Sequence, residues 1–207
     1  MNTYYLFAMS AMSSFDELER EIAKVKDEFY GESGGKNTFF KKQQKFDCAK
    51  QIVNRVSLDA LLARSCYIVP NTYCVHIDYP TLKLYASPDT FETISEYIMA
   101  NFKKVTDEYG TFEVFLNLDG LTVSGAERYR GLIETFCMMC FNLNTGFSQM
   151  IHRFVVYNSP NVIDAIKHIV MPFMEENVKL RLLVVPKKDS TEYNAKFSAI
   201  SSAQSSV

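Results

Sequence analysis

Phe112-Glu-Val-Phe-Leu-Asn-Leu-Asp-Gly120 and, roughly 40 residues on, Phe154-Val-Val-Tyr-Asn-Ser-Pro160 are the runs that decide the fold. Each is an apolar strand closed by a turn signature, Asp119-Gly120 in the first and Asn158-Ser159-Pro160 in the second. A helical stretch from about Gly125 to Asn142 lies between them. A second helix, Pro160–Met174, leads to a third apolar strand, Lys179–Val185. Connections of that length are crossovers, so the three strands run parallel and side by side. Phe112–Leu118 is apolar on both faces except at Glu113 and Asn117, as in a strand covered on both sides.

Ahead of this core, Cys66–Val69, Tyr73–Ile77 and Leu82–Tyr85 read as short strands parted by Pro70-Asn71 and Tyr79-Pro80. Proline removes a ladder donor, which confines such segments to edges or antiparallel pairs. Ser87-Pro88-Asp89 then opens a helix in which Ser caps, Pro fits the first turn and Asp complements the dipole. Phe91, Ile94, Ile98, Phe102 and Val105 line its inner face, and Gly110 ends it. The fold class is α/β: a mixed, mainly parallel sheet flanked by helices, with a short N-terminal helical extension.

That extension begins at Ser14-x-x-Glu17, read as a capping box, and continues as an amphipathic helix through Phe15, Leu18, Ile22, Val25 and Phe29. Gly31 and the Gly34-Gly35 pair end it, and Gly31–Lys36 is the linker candidate. A second helical region, Phe39–Arg64, places Phe46, Ala49, Ile52, Val53 and Val56 on one face, with Ser57 capping a short final helix. Tyr4–Met9 reads as a peripheral strand or docking arm. We divide the chain into an arm and helical extension, 1–65, an α/β domain, 66–186, and a Ser- and Lys-rich tail, 187–207, expected to be irregular.

Bulk composition narrows the function. Hydrophobic residues make up 47% of the chain, enough for a packed core, and the net charge of −2 advertises no nucleic-acid partner. The lysine pairs 41–42, 103–104 and 187–188 read as solvated surface. Five cysteines without framework spacing suit buried thiols in a reducing compartment. Cys137-x-x-Cys140 lies in an apolar helix with no second Cys/His pair, so no zinc site is expected. No apolar run approaches the roughly 20 residues that span a bilayer, and Tyr4–Met9 lacks the basic start of a secretory signal. The expected setting is cytoplasmic, or within a large assembly such as a virion.

Catalytic constellations are missing from the sequence: no phosphate loop, no nucleophile elbow, and His76, His152 and His168 without converging carboxylates. Asp164–His168 reads as a helix-surface pair. Asp119, at the carboxyl end of a central strand, is the best single acid candidate and reads as a turn residue bonding the following backbone. Asn158 is expected to cap the helix that Pro160 begins. We therefore expect no enzyme activity, metal or cofactor.

Phe112–Leu121, the strand–Asn-Ser-Pro–helix run of 154–174 ending in Pro172-Phe173, and Val178–Val185 with Lys179 and Arg181 occur in an order and spacing that resembles the CRAL-TRIO family of lipid-binding proteins. The resemblance covers residues 66–186 and implies a pocket for one lipid between a sheet floor and a gate helix, as in phosphatidylinositol-transfer and retinaldehyde-binding members. Phe136, Met138, Met139, Phe141, Phe147, Met171 and Met174 suit an adaptable apolar cavity as well as they suit a plain core. Under the resemblance, Phe115, Asn117, Phe136, Met139, Cys140, Phe154, Val156 and Phe173 are the candidate ligand-binding residues. Only 21 residues follow Pro186, which leads us to expect a lidless version or a lid supplied by a partner. The expected function is binding of a lipid or other hydrophobic ligand, or of a membrane-linked protein partner, with protein contacts through the N-terminal helix and tails. The alternative is a scaffold component of a larger assembly, for example a minor capsid protein of a large virus.

Overall fold

The computed structural model describes residues 3–32, 35 and 40–204, with side chains described between 17 and 199. The chain divides into two compact units, Met1–Ser57 with Thr191–Val207, and Leu58–Ser190.

In the first unit, α1 spans Thr3–Glu32 and α2 spans Lys41–Arg55. α1 thus starts well before the capping box read at Ser14, and Tyr4–Met9 is helix, not strand. Residues 3 to 13 contain no Gly or Pro to stop the helix growing backwards. Gly31 falls within the last turn, while Ser33, Gly34 and Lys36 of the linker candidate lie outside the described residues. α2 buries Phe46, Cys48, Ala49 and Ile52, a stripe at helical spacing. Arg55 pairs with Glu28 across the two helices, an exposed contact worth little in stability.

The second unit contains α3 (Leu58–Ser65), β1 (Cys66–Ile68), β2 (Cys74–Asp78), α4 (Tyr79–Tyr85), α5 (Phe91–Tyr109), β3 (Phe112–Asn117), α6 (Val123–Asn142), α7 (Phe147–Met150), β4 (Ile151–Ser159), α8 (Ile163–Val170), α9 (Glu176–Lys179) and β5 (Leu182–Pro186). The sheet order is β1-β2-β3-β4-β5, with β1 antiparallel to β2 and the rest parallel. The expected parallel trio is present, inside a mixed sheet. Because successive strands add in one direction, right-handed crossovers lay their helices on one face of the sheet.

Four details differ from expectation. Leu82–Tyr85 is helical because Asp78 caps α4, its Oδ2 accepting from Thr81 N at 3.0 Å and Thr81 Oγ1 at 2.7 Å, with Pro80 in the first turn. Ser87 does not cap α5; the Thr90 hydroxyl accepts from Ser87 N at 3.0 Å in a turn ahead of the helix. The third parallel strand starts at Leu182, since Glu176–Lys179 makes a helical turn first. The tail expected to be irregular carries α10, Thr191–Gln204, which belongs to the first unit. Gly110 does end α5, at φ 72°.

Candidate functional site

Alternation along a strand sends neighbouring side chains to opposite faces, and the register of this sheet lines up two apolar rows on one of them. Val75, Val114, Phe154 and Leu182 form one row across β2 to β5. Ile77, Leu116, Val156 and Val184 form the next. Every residue of these rows except Val75 lines a cavity of about 470 Å³ that lies wholly within the second unit. The roof comes from α6, through Ile133, Phe136, Cys137 and Cys140, and from Ile163, Ile166 and Val170 of α8. Both sets repeat at three and four residues, so each helix presents one stripe to the sheet.

The two ends differ. At the amino ends of the strands, Phe102, Phe112, Phe136 and Phe147 form an aromatic wall. Phe102 lies 4.6 Å from Phe112 between ring centroids, and its contacts with Phe136 and Phe147 are edge-on at 6.0 and 5.6 Å. Beside it, Glu175 accepts from Ser148 Oγ at 2.7 Å. At the carboxyl ends, Tyr79 and Tyr129 meet edge-on, 5.9 Å apart. Phe141 lines the cavity yet is 84% exposed, so the cavity reaches the surface beside it.

Burial acts on the thiols that line the cavity. Burial pushes Cys137 and Cys140 from 9.0 up to about 11, and the Glu175 carboxylate adds to the rise in both. A folded-state value above the free one keeps the thiol protonated, and therefore unreactive, until the pH approaches 11. We expect iodoacetamide at pH 8 to alkylate these two cysteines on the order of a hundredfold more slowly than a free cysteine. The rate should climb about tenfold per pH unit toward 11. Mass spectrometry of the alkylated peptides reads both numbers, and free-cysteine rates at pH 8 would contradict a dry cavity.

Of the residues picked from sequence, Phe136, Cys140, Phe154, Val156 and Phe173 line the cavity. Met139 is off the α6 stripe. Phe115 and Asn117 pair with Val155 and Tyr157 on the opposite face of the sheet. Asn117 has other work there: its Nδ2 donates to Asp78 Oδ1 at 2.8 Å, and its Oδ1 accepts from Asn158 Nδ2 at 2.8 Å and Asp119 N at 3.0 Å. Asn158 is thus bound to a neighbouring strand and does not cap α8. It sits at φ 52°, a left-handed conformation that Asn tolerates. The Asp119 carboxylate takes Lys187 Nζ at 2.5 Å, and Asp164 pairs with Lys167, not with His168. The residues picked from sequence include neither Tyr79 nor Tyr129, nor Leu182 and Val184 of the third parallel strand, all of which line the cavity.

A parallel four-strand floor with a greasy cavity under two crossover helices agrees with the match of residues 71–200 to the CRAL/TRIO domain model. The chain belongs to the CRAL/TRIO family. No curated protein matches it closely enough to set beside it. CRAL/TRIO domains are in general modules for lipids and other hydrophobic ligands, and generally non-catalytic.

Proposed function

We propose that this CRAL/TRIO domain is a non-enzymatic carrier or sensor that holds one hydrophobic ligand between its sheet and α6–α8. The observation that supports the reading most is the pair of apolar rows across β2–β5, closed over by the α6 stripe into about 470 Å³. Small-molecule sites run from about 300 to 1,000 Å³ and are mostly apolar with few polar groups. Among the described residues no helix is long and apolar enough to cross a membrane. All five cysteines are free, which supports a reducing compartment such as the cytoplasm.

Native mass spectrometry before and after organic extraction tests the reading. The protein as purified should carry a lipid-sized mass, and the stripped protein should take up about one equivalent of a fluorescent fatty-acid analogue. A lipid-free spectrum together with no uptake would sink it and leave the scaffold alternative standing.

A further inference from the structure

The cavity is not uniformly greasy at its tyrosine end. Tyr79 lines it, is 8% exposed, and its hydroxyl makes no hydrogen bond among the described residues. A hydroxyl without a protein partner in an otherwise apolar lining is left to whatever fills the cavity, so a donor in this state marks a place where an acceptor fits. Space is reserved for it. A Cβ on Gly125 would come within 2.9 Å of Tyr79 Oη, so only glycine leaves the hydroxyl room against the first turn of α6.

Charge around this end has one sign available. Lys83 Nζ lies 5.4 Å from the centroid of the Tyr79 ring, is half-buried, and has no carboxylate partner among the described residues. It also sits close to Gly120, just before α6, so it lies near the helix start. α6 is 20 residues long and its amino terminus, capped by Thr122, favours negative charge. The nearby carboxylates are engaged elsewhere, Asp78 by Thr81 and Asn117, Asp119 by Lys187. The neighbouring Tyr129 hydroxyl is likewise occupied, donating to Lys83 O at 3.0 Å. Burial raises Tyr79 to about 12, so its hydroxyl stays a donor at neutral pH.

We propose that the Tyr79 end of the cavity is a head-group subsite for a single-chain ligand ending in a carboxylate, which accepts from the Tyr79 hydroxyl and is balanced by Lys83 and the α6 amino terminus. The ligand therefore enters head first, with its chain lying back along the floor toward the aromatic wall. A cavity in the lower half of the usual range favours one hydrocarbon chain over two.

The inference rests on the ligand-binding reading above, and the test separates the two. Affinities of delipidated protein for an 18-carbon fatty acid and for its methyl ester are measured in wild type, Tyr79→Phe and Lys83→Gln. The wild type should prefer the acid. Tyr79→Phe should weaken the acid about tenfold or more, since hydrogen bonds to charged groups are the strong ones, and leave the ester within about twofold. Lys83→Gln should weaken the acid about threefold, as a half-exposed charge does. Because the hydroxyl has no partner to lose, Tyr79→Phe should melt at or above the wild-type temperature, which keeps its binding result interpretable. Equal binding of acid and ester, or no change in Tyr79→Phe, overturns the subsite while leaving the cavity reading intact. Failure of both ligands to bind overturns both.

Discussion

Val184→Trp should cut uptake of a fluorescent hydrophobic probe at least tenfold while leaving the protein folded. Val184 is half-buried on β5, opposite Val156 in the register, with its side chain in the cavity. Tryptophan suits a strand and at this position occupies the space a ligand chain would take. Leu183→Trp is the control. Leu183 is the adjacent residue, 45% exposed, and pairs with Val155 on the other face of the sheet. It should bind probe as the wild type does. Equal loss in both variants would mean that the binding site is not the space between the sheet and α6, whatever else the protein binds.

Phe112→Ala should destabilise the protein by about 3–5 kcal/mol, the range for deleting a buried aromatic ring. Phe112 is 1% exposed at the start of β3, stacked at 4.6 Å on Phe102 and at 6.0 Å from Phe147. Its ring ties the first residue of a central strand to α5 and α7. No neighbour can collapse into the gap without leaving the wall, and the new space would join a cavity already there. Urea unfolding followed by circular dichroism measures the loss. A change below about 1 kcal/mol would show that the aromatic wall is plastic and that the cavity's amino end is not a fixed boundary.

These two substitutions touch one idea from opposite sides. One fills the cavity and leaves the fold; the other enlarges the cavity and weakens the fold. A domain that binds a greasy ligand must keep such a hole open in water, and the hydrophobic effect works against that unless the surrounding elements are held firmly. Here the firmness comes from polar ties at the opposite ends and face. The Asp78–Asn117–Asn158 chain links β2, β3 and β4 at their carboxyl ends. The Arg153–Glu113 pair, at 2.8 Å, links β3 to β4 on the face away from the cavity.

The sequence by itself determined the parallel core, because only crossover helices fit between Phe112, Ile151 and the last apolar strand, and the Asp-Gly and Asn-Ser-Pro turns mark where each strand stops. It also carried a signal for the cavity face. Glu113 and Asn117 share a face of β3 with Phe115, so the polar pair already assigned the cavity to Phe112, Val114 and Leu116. Tertiary structure alone decided three things. It decided that Asp78-x-Pro starts a helix, since a cap outweighs the strand preference of Thr, Leu and Tyr only once β2 ends in place. It decided which residues of the last turns of α6 face inward, because Phe136 to Phe141 includes no charged side chain to orient them. And it brought Tyr79 to the end of α6, a meeting of residues 46 apart at Gly125 that no local pattern encodes.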